Sequence, residues 1–83
     1  MKATLRYFAS IREALGSSET IDVAPGATVG SVRDALIARG GKHAAALARG
    51  RALRCALDQV MCEETAALAE GSEVAFFPPV TGG

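Results

Sequence analysis

Apolar side chains recur at every second position near both ends of the chain and at every third or fourth position in the middle, which is the pattern of strands flanking a helix. Ala3-Thr4-Leu5-Arg6-Tyr7-Phe8-Ala9 alternates apolar with mixed residues and predicts a first strand. Ser10 is placed to cap a short helical turn, Ile11–Leu15, that Gly16 ends. After Ser17 and Ser18, Thr20–Ala24 predicts a second strand with Ile21 and Val23 on one side. Pro25-Gly26 breaks it, and Thr28 is placed to cap the main helix. In that helix Val29, Val32 and Leu36 form a stripe that Ala35 and Ile37 widen, leaving Arg33, Asp34 and Arg39 to the outside.

Gly40-Gly41 stops the helix, and the alanine-rich run Lys42–Arg49 predicts a second, shorter one closed by Gly50. Leu53, Cys55 and Leu57 alternate with Arg54, Ala56 and Asp58 as a third strand. Asp58-Gln59 makes a tight turn into a brief fourth, Val60–Cys62. Leu68 is the expected core anchor of the stretch from Glu63 to Glu70, Gly71-Ser72 re-aims the chain, and Glu73–Phe77 is the last strand. This order implies an α+β fold: a mixed sheet of about five strands with one main helix packed on one face, plus short helices. The first and last strands are expected side by side and parallel in the middle of the sheet.

Composition narrows the partners. A chain of 83 residues is one domain, and 49% apolar residues suffice for a single modest core. Nine basic and nine acidic residues cancel without a basic run, which argues against nucleic-acid or anionic-membrane binding. The amino-terminal residues carry charges where a signal peptide needs its apolar stretch, and no apolar run approaches the ~20 residues of a bilayer span. The expected setting is the cytoplasm, where Cys55 and Cys62 remain thiols.

Conventional reactive groups are sparse. His43, the single histidine, is read as a surface residue of an alanine-rich helix, with no Ser-His-Asp or Cys-His set around it. Cys55 and Cys62 lack the further ligands of a zinc site and are read as small apolar fillers, so no metal is expected. Glu63-Glu64 reads as solvated loop. What is left is the carboxyl end. Pro78-Pro79 halts strand pairing and stiffens the exit from Phe77, and Val80-Thr81-Gly82-Gly83 follows. Residues 1–78 are therefore expected to form the folded domain and 79–83 a flexible tail. From Pro79 to Gly83 the chain spans at most ~17 Å, long enough to enter a cleft in another protein, and the glycines let that cleft be narrow. A Gly83 carboxylate is a poor electrophile until activated, most simply as an acyl-adenylate made from ATP. Sulfur attack then yields a thiocarboxylate, and amine attack an isopeptide bond. Either way the chain is a carrier whose catalytic groups belong to its partners.

Leu5–Ala9 followed by Ile11-Arg12-Glu13, Thr28-Val29, Ala56-Leu57-Asp58-Gln59 and above all the block from Gly71 through Phe76-Phe77-Pro78-Pro79-Val80-Thr81-Gly82-Gly83 resemble the ubiquitin-like β-grasp sulfur carriers. The nearest resemblance is to the small-subunit (MoaD) family of molybdopterin synthase. It covers essentially the whole chain. It implies that Gly83, beside Gly82, is adenylated by an E1-like enzyme at the expense of ATP and thiocarboxylated. Sulfur would then pass to a cyclic pyranopterin precursor within a heterotetramer formed with the large synthase subunit. No cofactor would be held stably by this chain. By the same resemblance Phe77 and Met61 would meet the large subunit, Pro78, Pro79, Val80 and Thr81 would lead the tail into it, and Arg12 is a contact for the activating enzyme. Sulfur carriers of thiazole or tRNA-thiolation pathways and protein-conjugating modifiers are the alternatives. Asp58 stands where the family commonly has Asn, which puts the detail of that turn in question.

Overall fold

The alternation at the two ends of the chain builds the centre of one sheet. In the computed structural model, which describes residues 1–79, β1 (Lys2–Tyr7) lies parallel to β5 (Ser72–Phe77), with Leu5 beside Val74 and Tyr7 beside Phe76. β2 (Ser18–Asp22) flanks β1 and β3 (Arg54–Leu57) flanks β5, both antiparallel, and β4 (Val60–Cys62) forms the far edge. The order is β2-β1-β5-β3-β4. Between the strands lie α1 (Ala9–Leu15), α2 (Val29–Ala38) and α3 (Gly41–Leu47), with α3 packed against both other helices.

The core sits between α2 and one face of this sheet. Leu5, Tyr7, Val74 and Phe76 from the strands meet Val29, Val32 and Leu36 from α2 and Leu47 from α3, and all eight side chains are essentially sealed from solvent. Each such side chain contributes about 1.5–3 kcal/mol through burial. Leu68 is buried in the same cluster, as expected of the core anchor of the Glu63 to Glu70 stretch. Thr28 caps α2 as expected. Its hydroxyl accepts from the Ser31 N–H at 3.1 Å while the Ser31 hydroxyl accepts from the Thr28 N–H at 2.9 Å.

Several local expectations need correction. α1 is capped by Phe8, whose carbonyl accepts from the N–H groups of Ile11 and Arg12, and Ser10 lies inside the first turn with no side-chain cap. β2 begins at Ser18, earlier than the alternation of Ile21 and Val23 suggests, because pairing with β1 aligns Ser18 with Arg6 and Asp22 with Lys2. His43 is half-buried, not a free surface residue: its Nε2 lies 2.8 Å from Glu19. Glu19 also receives the Tyr7 hydroxyl at 2.7 Å and the Arg39 guanidinium at 2.8 Å, tying β1, β2, α2's carboxyl end and α3 together.

The largest correction concerns Arg33. Only 4% exposed, it points inward from α2. Its Nε donates to the Leu47 carbonyl at 2.8 Å, one terminal nitrogen to the carbonyls of Ala48 and Arg51 at 2.7 and 3.1 Å, and the other to Glu64 at 2.9 Å. Glu64 is accordingly no solvated loop residue. It also pairs with Arg49, and its backbone carbonyl accepts the Gly30 N–H at 2.8 Å. That approach is close enough that a Cβ on Gly30 would sit 3.2 Å from the Glu64 carbonyl oxygen. Burial works to raise the Glu64 carboxyl, but hydrogen bonds from Arg49 and Arg33 outweigh it and hold the group below the usual carboxylate range.

Two predictions follow from these clusters. Arg33→Met keeps the apolar stem and removes every donor, leaving Glu64 to Arg49 alone, the Ala48 carbonyl to the Arg51 N–H, and the Leu47 and Arg51 carbonyls without their side-chain donor, so it should cost about 3 kcal/mol. Arg33→Lys should recover little of this, because an ammonium cannot span the same acceptors. The denaturant midpoints of both variants are the check.

At Glu19, burial acts to raise the carboxyl and the hydrogen bonds from His43, Arg39 and Tyr7 prevail, bringing it down to about 2 from an ordinary 4.5. A carboxyl depressed in the folded state stabilises above its unfolded value, and that stability is lost as pH falls through the window from 4.5 to about 2. Glu19→Gln should therefore melt below the parent protein at pH 7, and the gap should narrow between pH 5 and pH 2; an unchanged gap would exclude this carboxylate as the source.

Candidate functional site

Because side chains alternate across a strand, the sheet face turned away from the helices carries the residues between the core positions: Arg6 from β1, Ala75 and Phe77 from β5, Arg54 and Ala56 from β3 and Met61 from β4. One register row runs Arg6, Ala75, Ala56, Met61, with small alanines at its centre. Met61, 50% exposed, stands at the far end of that row, and Val60 beside it on the edge strand is 67% exposed.

Phe77 closes β5 on this face, and Phe8, 41% exposed, meets it edge-on with ring centroids 6.2 Å apart at 88°. Phe8, Ala9, Phe77, Pro78 and Pro79 line a shallow apolar depression of about 520 Å³. The Arg6 guanidinium carbon lies 5.8 Å from the centre of the Phe8 ring and puts a cation at the rim. The structure thus brings together Phe77, Pro78 and Pro79 of the expected site residues and sets Met61 on the same face two strands away. Arg12 is exposed one turn along α1. Val80, Thr81, Gly82 and Gly83 lie outside the described residues.

Phe8 is the residue that sequence reasoning missed. It stands one position past Tyr7, out of step with the inward Leu5 and Tyr7, and that break in alternation is the signal that it faces outward. Its backbone is part of the reason. Phe8 stays extended as the cap of α1, while Ala9 turns at a φ of 54°, in the left-handed region where a Cβ is disfavoured. The chain accepts this turn at the foot of the apolar depression.

The turn between β3 and β4 accounts for Asp58. Both Asp58 and Gln59 have positive φ, at 50° and 68°, as a two-residue hairpin turn requires. Asp58 is further held because its N–H donates to the Glu73 carbonyl at 2.8 Å and its Oδ1 accepts the Glu73 N–H at 2.9 Å. An Asp serves here as an Asn would, and the hairpin is fastened to β5, which keeps Met61 in line with the sheet.

Among the described residues no group of three or more His, Cys, Asp and Glu side chains could hold a metal ion, and no helix is long and apolar enough to cross a membrane. Among them no buried side-chain polar atom is without a partner. The face around Phe8 and Phe77 is built for apolar contact.

Ala9 supplies a test of this geometry. Ala9→Gly should stabilise the fold by about 0.5–1 kcal/mol, since glycine adopts a φ of this sign without a steric penalty. Thermal denaturation measures it; a loss of stability would mean that the left-handed turn is absent in solution.

Comparison with known proteins agrees with this arrangement. The ThiS family profile matches residues 5–83. The molybdopterin synthase sulfur carrier subunit of Escherichia coli (strain K12) is 40% identical over 77 residues, which cover 93% of this chain and 94% of that one. In three dimensions, Haloferax volcanii small archaeal modifier protein 1 superposes with a TM-score of 0.76 at 29% identity, over 95% of this chain and 98% of that one. Subunit 1 or 2 of the molybdopterin-converting factor complex from Helicobacter pylori gives a TM-score of 0.70 over the full length of both chains, and at 21% identity speaks for the fold alone. With a β-grasp sheet, a match along almost its whole length and a full-length relative at this identity, the chain belongs to the ThiS family of ubiquitin-like proteins, among its MoaD-like members.

Proposed function

We propose that this protein is the sulfur carrier subunit of a molybdopterin synthase, with the Gly83 carboxylate as its reacting group. The observation that carries the reading is the 40% identity, over nearly both full lengths, to a relative of that name. The apolar face at the foot of the tail supports it, since a carrier needs a rigid surface for its partner beside the segment it delivers. In this reading a Gly83 carboxylate oxygen attacks the α-phosphate of ATP on an E1-like enzyme and pyrophosphate leaves. Sulfide expels AMP to give the thiocarboxylate directly, whereas a persulfide gives an acyl disulfide that a second thiol cleaves, leaving the thiocarboxylate and a disulfide. The body docks on the large subunit through Phe8, Phe77 and Met61, while Pro78 and Pro79 direct Val80, Thr81 and Gly82 into its cleft. There the sulfur passes to the cyclic pyranopterin precursor, and the assembly is a heterotetramer.

A second reading, a modifier joined to lysine through Gly83, is favoured by the likeness to the archaeal modifier protein. Intact mass of the protein produced beside its activating enzyme separates the two: exchange of one oxygen for sulfur supports the carrier, whereas covalent protein adducts support the modifier.

Deleting Gly83 should abolish sulfur transfer to the precursor and leave thermal stability unchanged. Phe77→Ala should instead weaken binding to the large subunit by about 2 kcal/mol, read by calorimetric titration. Undiminished affinity in Phe77→Ala would remove this face from the interface.

A further inference from the structure

Cys55 and Cys62 are directly opposed across the β3–β4 pair, with their side chains on the same, helix-facing side of the sheet. Their sulfurs lie 3.8 Å apart, the Cys62 thiol directed at the Cys55 sulfur and the Cys55 thiol at the Cys62 carbonyl, 3.3 Å away. Opposed residues of an antiparallel pair have Cα atoms about 4.5–5.5 Å apart, within the range of about 4.4–6.8 Å that a disulfide bridges. Both are free thiols. Closing the bond requires the sulfurs to approach by less than 2 Å, roughly what a change of side-chain torsion supplies without moving either strand.

The two thiols are not equivalent. Cys55 belongs to the buried core, and burial, its bond to Cys62 and the carboxylates of Glu64 and Glu63 push its thiol up to about 12. Both line a recess of about 360 Å³ with Leu53, Arg54, Met61, Glu63 and Glu64, and of the two Cys62 is the more exposed. A small oxidant therefore reaches Cys62 first. The proposed sulfur transfer makes no use of this pair.

We propose that Cys55 and Cys62 are a redox modification site that closes to a reversible cross-strand disulfide under hydroperoxide. The Cys62 thiolate attacks the distal peroxide oxygen, the O–O bond breaks, and water or an alcohol leaves with the proton. The resulting sulfenic acid at Cys62 is attacked by the Cys55 sulfur; the S–S bond forms and the hydroxyl departs as water with the Cys55 proton. Two thiols are oxidised by two electrons and one peroxide is reduced; a dithiol reverses the bond. The product ties β4, a three-residue edge strand, covalently to β3.

Hydrogen peroxide is added to the full chain, followed by intact mass, thiol counting and non-reducing peptide mapping. The expected result is loss of two hydrogens per chain, loss of both titratable thiols, a single Cys55–Cys62 linked peptide, and restoration by dithiothreitol. Dimedone present during oxidation should label Cys55→Ser at Cys62, where the sulfenic acid has no resolving partner, and should leave Cys62→Ser unlabelled. Two thiols still titrating after peroxide, stepwise oxygen addition at Cys62 in the parent chain, or a linkage only between separate chains would each overturn the proposal. Both single variants leave Gly83 in place, so sulfur transfer by reduced protein is a separate readout that tests the carrier reading alone.

Discussion

A single buried guanidinium governs how the parts of this small protein meet. Arg33 leaves α2 on the side where a purely apolar residue would add to the core, and instead supplies donors to the end of α3, to the loop after it and to Glu64. A charge taken out of water is tolerated only when its donors are matched by acceptors, and here four acceptors converge on one planar group. Carbonyls at the end of a short helix lack intrahelical partners, and α3 ends at Leu47, ahead of the Gly50 stop expected from the sequence, with the arginine bonded to the Leu47 and Ala48 carbonyls. The same contact brings the Glu64 loop against Gly30, where the absence of a Cβ permits the approach.

With the helices tied to one side in this way, the other face of the sheet carries no helix, and neighbouring side chains leave its central Ala56 and Ala75 only 7% exposed. The residues there are small at the centre and large at the margins, so that Phe8 and Phe77 at one end and Met61 at the other frame a low floor of alanines. Arg6 over Phe8 keeps the apolar surface bordered by charge. This is the anatomy expected of a docking surface, with apolar anchors and a polar rim. It lies at the end of β5, the strand that continues in sequence toward Gly83, the residue that the proposed function uses.

The local backbone strain is spent at the edges of that surface. Ala9 turns at positive φ to present Phe8, and Asp58 and Gln59 do so to carry β4 back along β3. The hairpin turn is supported by two hydrogen bonds to Glu73, whereas Ala9 follows directly from the strand that anchors Phe8. The β3–β4 hairpin in turn brings the two cysteines face to face, a consequence of register that neither residue signals on its own.

Much of the architecture was legible in the residues alone. Period-two alternation in Leu5, Tyr7, Val74 and Phe76, the stripe of Val29, Val32 and Leu36, the cap at Thr28 and the turn at Asp58-Gln59 each depend on neighbours a few positions away, and local sequence determines them. The likeness of the final block to a known family likewise rests on contiguous residues. What only tertiary structure decided concerns residues whose partners are distant in the chain. Arg33 reads as a solvent-facing charge because its acceptors lie 14 to 31 positions onward. His43 and Glu19 meet across 24 positions, and Phe8 faces Phe77 across nearly the whole chain. A side chain's preference for water is set by its own chemistry, but whether that preference is met by water or by another part of the chain is settled only when the fold brings that part within reach.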